Sequence, residues 1–100
     1  MMPRIRLDAG KWYRRAHGVE IREVGRDFFL VAPGDGAIHR LDATASAAWR
    51  ALSEPKSVDE LIALFQTAFP DVPKRRIATD IEDLIAFLSK RRLIVSTDSK

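Results

Sequence analysis

The sequence predicts an α+β domain of winged-helix-like type, in which a three-stranded antiparallel sheet is followed by three helices. Residues 19–41 contain three short apolar or alternating runs, separated by two glycine-containing turns. Beyond residue 41, apolar residues recur at three- and four-residue spacing in three segments bounded by capping residues and prolines. A run of strands followed by a run of helices is typical of the α+β class. With 100 residues, the chain fits a single domain.

The three predicted strands form a meander. Residues 19–24 alternate between apolar and polar side chains, and residues 25–27 supply a turn. Residues 28–31 are apolar throughout, which favours a central strand. A second turn at 33–36 combines proline with two glycines that accept positive φ. Residues 37–41 are shorter and more polar, as expected of an edge strand.

The helices have clear start and stop signals. Asp42 can cap the first helix, which ends before Pro55. Ser57 and Glu60 form a capping box for the second helix, which Pro70 ends. The third helix begins near residues 71–73, with proline in its first turn. The predicted apolar faces are Ala45, Ala48, Trp49 and Leu52, then Val58, Leu61, Ile62, Phe65 and Phe69, then Ile77, Ile81, Leu84, Ile85 and Leu88.

We divide the chain into an N-terminal arm at 1–17, a domain at 18–96 and a disordered tail at 97–100. In the arm, Trp12 and Tyr13 are expected either to fold back as a lid on the core or to join a partner surface. The apolar run at 93–95 is expected to pack as an extended segment.

Composition excludes several classes of protein. The chain has 17 basic and 14 acidic residues, a net charge of +3, with both signs interspersed, which is weak evidence for nucleic-acid binding. It has no cysteine, so disulfides and thiolate chemistry are excluded. No apolar run is long enough to span a membrane, and the N-terminus lacks the apolar core of a secretory signal. We therefore expect a cytoplasmic protein.

Residues typical of catalytic and metal sites are sparse. His17 and His39 are the only histidines, too few for a histidine metal site. Asp80 and Asp83 lie one helical turn apart, but nothing in the sequence suggests an apolar pocket that would shift their pKa values. No catalytic triad or phosphate-binding loop is present. The sequence thus predicts a protein that is not an enzyme and that uses no cofactor or metal.

Several segments, in order and spacing, resemble the PqqD-like family, whose members recognise the precursors of ribosomally synthesised, modified peptides. The matching segments are 28–31, 33–34, 39–45 leading to Trp49, 57–62, 80–88 and 93–94. The chain departs from the usual family pattern at three places. Asp42 stands where asparagine is common, Glu54-Pro55 where a glycine separates two helices, and Arg92 where a glycine precedes the last apolar pair.

The resemblance implies a non-enzymatic adaptor or chaperone. Such modules bind the leader segment of a precursor peptide and present it to a modifying enzyme, often a radical SAM enzyme. The leader adds as an extra β-strand beside the third strand, in the cleft between that strand and the third helix.

Elementary sheet physics favours the same site. An edge strand exposes unpaired backbone groups, with which an extended peptide can pair. In the strand at 37–41, Leu41 is expected to point to the core together with His39, whereas Ile38 and Arg40 point the other way. One flank of the third helix offers a second wall. The predicted peptide-binding residues are Ala37, Ile38, His39, Arg40, Leu41, Arg76, Asp80, Asp83, Leu84 and Phe87.

Two other functions remain open from the sequence. The basic clusters at 74–76 and 90–92 permit a winged-helix DNA-binding protein, although Asp80, Glu82 and Asp83 would then lie against phosphates. An accessory subunit that binds a partner enzyme but no leader is the other alternative. The sequence is compatible with a monomer or a homodimer, and we expect neither nucleic-acid nor membrane partners.

Overall fold

The computed structural model describes residues 11–25 and 27–97. In these ranges the chain forms six strands and three helices. The strands are β1 (Trp12–Arg15), β2 (Glu20–Val24), β3 (Asp27–Val31), β4 (Ile38–Leu41), β5 (Lys56–Ser57) and β6 (Ile94–Thr97). The helices are α1 (Ala43–Ala51), α2 (Val58–Ala68) and α3 (Lys74–Lys90).

The predicted meander is confirmed as the antiparallel sheet β2-β3-β4. β3 is its central strand, and Leu30 lies opposite both Ile21 of β2 and His39 of β4. Leu30 and Leu41 are buried on the face that meets the helices. Ile38 is 68% exposed on the opposite face, so the predicted orientation of the side chains in β4 is confirmed.

The expectation of one sheet is wrong, because a second antiparallel sheet has the order β5-β1-β6. Its central strand β1 lies within the segment that we assigned to an arm. β6 begins in the expected extended segment but runs on to Thr97, which we had assigned to a disordered tail. Residues 98–100 of that tail and residues 1–10 of the arm lie outside the described ranges. Trp12 of β1 pairs with Thr97 of β6 on one side and Ser57 of β5 on the other. Tyr13 is buried in the core. The two ends of the described chain are therefore held together by backbone hydrogen bonds.

The helix caps follow the sequence signals. The Asp42 carboxylate accepts the Ala45 N–H at 2.8 Å, and both hydrogen bonds of the predicted capping box join Ser57 and Glu60. Two boundaries differ from the prediction. α2 ends at Ala68, which leaves Phe69 45% exposed rather than on the apolar face. Pro73 is the N-cap of α3 and makes no side-chain capping bond.

One core lies between the two sheets and the three helices. α3 buries a single stripe in it, and α1 contributes Trp49 among alanines. The core residues are Tyr13, Leu30, Ala32, Leu41, Ala45, Ala48, Trp49, Leu52, Val58, Leu61, Ile62, Phe65, Ile77, Ile81, Ile85, Leu88, Leu93 and Ile94. In the described ranges, no helix has the length and apolar character needed to cross a membrane.

Candidate functional site

β4 lies at one edge of its sheet, and no strand of the described chain pairs with its outer side. The Ala32 N–H donates to the Ala37 carbonyl at 2.8 Å, so this position is a hydrogen-bonded pair. Such pairs alternate along an antiparallel ladder, and His39 therefore also directs its backbone groups toward β3. The N–H and C=O groups of Ile38 and Arg40 point away from β3, toward the open edge.

A cleft of about 690 Å³ lies between β4 and α3. The start of α1 forms part of its lining, where the small side chains Thr44 and Ala45 leave room. The open edge of β4 thus borders a concave surface that has a helix as its second wall. The lining residues are Arg40, Leu41, Asp42, Thr44, Ala45, Asp80, Asp83, Leu84 and Phe87. We call this cleft the acidic hollow, because three of its lining residues are aspartates.

Phe87 joins the two walls of the site. Its ring meets the His39 ring of β4 edge-on, with the centroids 6.4 Å apart. The guanidinium of Arg91 lies 3.8 Å from the Phe87 ring centroid. An aromatic ring that is half-buried and contacts both walls can offer its remaining surface to a ligand in the cleft.

A second hollow, of about 440 Å³, lies beside the 33–36 turn and the end of α3. His39 lines it, so the His39–Phe87 contact separates the two hollows. Three consecutive cations contribute to this surface. The lining residues are Ala32, Pro33, Gly34, Asp35, Ala37, His39, Lys90, Arg91 and Arg92. We call this the basic hollow.

Arg92 ends α3 in a backbone conformation that usually belongs to glycine. Its φ is 60°, in the left-handed region that costs a residue with a Cβ roughly 1–2 kcal/mol. The Leu93 N–H donates to the Leu88 carbonyl at 2.9 Å and the Arg92 N–H to the Ser89 carbonyl at 3.0 Å. These two bonds are a Schellman motif, in which glycine is the preferred residue at the position of Arg92.

The structure brings most of the predicted site residues together. Arg40, Leu41, Asp80, Asp83, Leu84 and Phe87 line the acidic hollow, and Ala37 and His39 line the basic hollow. Ile38 lies on the outer face of the sheet, with its backbone groups at the open edge. Arg76 is exposed near the start of α3 and is not among the lining residues of either hollow. Whether these residues bind a peptide remains a prediction.

Sequence reasoning missed the contribution of α1. Asp42, Thr44 and Ala45 line the acidic hollow, although Asp42 was recognised only as a cap. The alanine-rich opening of α1 was the available signal, because small side chains permit close packing. It could not indicate that the nearby surface would be a cleft.

The described residues hold no group of three or more metal-ligating side chains that could bind a metal ion. Elsewhere in the described chain, burial lowers the pKa of the Arg15 guanidinium. Arg15 lies against Trp49, outside the lining of both hollows.

Comparison with known proteins identifies the family of this chain. The family model described as coenzyme PQQ synthesis protein D (PqqD) matches residues 27–94. The chain belongs to the PqqD family. The match covers β3, β4, all three helices and the start of β6, and so includes both walls of the cleft. A sequence comparison with curated proteins finds no match.

A solved PqqD structure has the same fold. It is the solution NMR structure of the PqqD truncation of Methylobacterium extorquens PqqCD, a functional and stand-alone recognition element for ribosomally synthesized and post-translationally modified peptides. The TM-score is 0.68 at 22% identity, covering 84% of this chain and 88% of the other. This likeness confirms an α+β fold with three helices and two small antiparallel sheets.

Proposed function

We propose that this PqqD-family chain is a non-enzymatic adaptor that binds the leader segment of a ribosomally made precursor peptide. The leader adds as a strand to the open edge of β4 and lies in the cleft against α3. The adaptor then presents the precursor to a modifying enzyme, for which a radical SAM enzyme is the expected class. We expect it to act in the cytoplasm, where precursor peptides are synthesised.

The observation that carries this proposal is the position of the free edge of β4. Edge strands offer backbone hydrogen bonds to any extended chain, and proteins that use them combine this pairing with pockets for alternate side chains. Here the open edge that carries the backbone groups of Ile38 and Arg40 lies beside a cleft whose lining includes Arg40 and an aromatic side chain, Phe87. The same arrangement supplies both backbone pairing and side-chain selection.

The charges on α3 argue against a DNA-binding function. Asp80 and Asp83 line the cleft, and Glu82 lies on the neighbouring flank of the helix, against α2. Carboxylates in the middle of a helix would repel the phosphates on either side of a groove. The peptide proposal requires no such repulsion.

A proline substitution at the open edge tests the proposal. Ile38→Pro removes an N–H that points to the open edge of β4 and makes no bond to β3, so the sheet should persist. We expect the affinity for peptides selected from a displayed random library to fall about tenfold or more, or about 1.4 kcal/mol. The measurement is a fluorescence anisotropy titration, with backbone amide NMR shifts to locate the bound peptide on β4 and α3.

The opposite edge of the sheet offers a matched control. Ladder alternation also directs the N–H of Ile21 in β2 toward an open edge, but that edge lies two strands from the cleft. Ile21→Pro should leave peptide affinity unchanged. A library that yields no binding peptide, together with salt-dependent binding of duplex DNA, would favour the DNA-binding function. A stable complex with a modifying enzyme and no peptide binding would favour the accessory subunit.

A further inference from the structure

We propose that the acidic and basic hollows together select an extended peptide with acidic side chains at one end and basic side chains at the other, and thereby fix the direction in which the peptide lies. This inference rests on the proposed function and adds the charge pattern of the ligand. The acidic end of the peptide lies at the basic hollow, and the basic end lies at the acidic hollow.

The two hollows carry opposite net charge. In the acidic hollow, three carboxylates face one cation, which gives a net charge of 1 − 3 = −2. In the basic hollow, three cations face one carboxylate, and these four groups give 3 − 1 = +2. The groups are Asp42, Asp80, Asp83 and Arg40 in the first hollow, and Lys90, Arg91, Arg92 and Asp35 in the second.

Several of these charges are available to a ligand. Arg40 forms an ion pair with Asp27 on the neighbouring strand at 3.0 Å. The positive charge of Arg40 therefore offsets the carboxylates of the acidic hollow less than it otherwise would. Among residues 11–25 and 27–97, no cation is within ion-pair distance of Asp80 or Asp83. Exposed charges add little affinity one by one, but complementary charges select partners and fix their register.

The conformation of Arg92 is the second, independent observation. Cations favour the end of a helix because of its dipole, but Lys90 and Arg91 already occupy the end of α3. The dipole therefore gives no reason for an arginine where φ is 60° and glycine would be unstrained. A residue held in an unfavourable conformation beside a binding surface indicates a functional constraint. We infer that the Arg92 side chain contacts carboxylates of the bound peptide.

The geometry sets the spacing of charges in the ligand. Asp83 and Lys90 are seven residues apart on α3, which corresponds to about 10 Å along the helix axis. An extended peptide rises about 3.3 Å per residue. Acidic and basic side chains should therefore lie roughly three or four residues apart in the peptide.

Panning a displayed random-peptide library on the full chain tests the inference. We expect the enriched sequences to contain acidic and basic residues at this spacing, always in the same order. Panning on Arg92→Gly should weaken the preference for acidic residues and keep that for basic residues. Panning on the double variant Asp80→Asn, Asp83→Asn should weaken the preference for basic residues and keep that for acidic residues.

Affinity and stability are then measured on one enriched peptide. Arg92→Gly should weaken binding about fivefold while it raises the melting temperature by a few degrees, because glycine relieves the strain. Replacing the peptide's glutamates with glutamine should weaken binding to the wild-type protein, and should weaken binding to Arg92→Gly by a smaller factor. If Arg92 has only a structural role, Arg92→Gly will alter the melting temperature and leave the peptide affinity unchanged.

The outcomes separate this inference from the proposed function. If the enriched peptides lose affinity for Ile38→Pro but show no fixed order of charges, this inference is overturned and the proposed function stands. Unchanged acidic preference in Arg92→Gly, or a lower melting temperature in that variant, would also overturn it. A library with no enriched peptide would overturn both.

Discussion

Phe87 is the side chain through which α3 meets β4. It packs against the core while one part of its surface lines the acidic hollow. Its contacts with His39 and Arg91 hold the ring at the centre of the site. A ring in this position contributes to stability and to any ligand contact, and the two contributions can be separated by measurement.

Phe87→Ala should weaken peptide binding about tenfold or more and lower the free energy of unfolding by about 1–2 kcal/mol. The loss of stability is smaller than the roughly 3–5 kcal/mol expected for a fully buried phenylalanine, because Phe87 is only half-buried. Anisotropy titration measures the first effect and urea denaturation the second.

Phe69→Ala is the matched control for this substitution. Phe69 is 45% exposed at the end of α2 and contacts Phe65, with the ring centroids 5.8 Å apart. It lines neither hollow, so its removal should leave peptide affinity unchanged. Wild-type affinity in a folded Phe87→Ala protein would refute the assigned contact.

Arg15 of β1 contacts the end of α1 through its side chain. The Arg15 guanidinium donates two hydrogen bonds to the Trp49 carbonyl at the end of α1 and lies 4.7 Å from the centroid of the Trp49 ring. Burial disfavours the charged form and lowers the pKa of Arg15. The carbonyl and the ring offset this cost, since both attract a cation.

Arg15→Lys should lower the free energy of unfolding by about 1–2 kcal/mol, because a lysine cannot reproduce the forked hydrogen bonds or the planar stacking. Arg14→Lys is the control, since Arg14 is exposed and should change stability by less than about 0.5 kcal/mol. Urea denaturation of both variants measures the difference. Equal losses would show that the Trp49 contacts contribute nothing specific.

Elements with local signals were predictable, and those that depend on distant partners were not. The capping box at Ser57 and the turn at 33–36 are encoded by neighbouring residues, so sequence reasoning located α2 and the β3–β4 hairpin. β5 has only two residues, and β1 pairs with strands far along the chain. Nothing local distinguishes such short segments from loops, so the second sheet was missed.

The same distinction holds for the cleft. The alternation of β4 predicted which side chains face the core, and the period of α3 predicted the flank that carries Asp80, Asp83 and Phe87. Where along that flank the cleft ends depends on how β4 crosses α3, which no sequence period encodes. Arg76 was included for that reason and lies outside the lining.

The two sheets have different functions in the fold. The sheet β2-β3-β4 presents the candidate binding edge, and the sheet β5-β1-β6 closes the other side of the core. The family match begins at residue 27, yet the strand at the centre of the second sheet lies well before it. The folding unit of this chain is therefore larger than the segment that the family model recognises.

A chain truncated to begin at Gly18 should not fold cooperatively, although it keeps every residue of the family match. It lacks β1, so β5 and β6 lose their shared partner, and the core loses Tyr13 together with the Arg15 contacts to α1. A domain is stabilised by only roughly 5–15 kcal/mol, so we expect the loss of a central strand and its core contacts to abolish the folded state. A chain beginning at Lys11 keeps β1 and is the control. Thermal unfolding, followed by near-ultraviolet circular dichroism, should show a cooperative transition for the control alone. If the shorter chain unfolds cooperatively within a few degrees of the control, β1 is dispensable for folding.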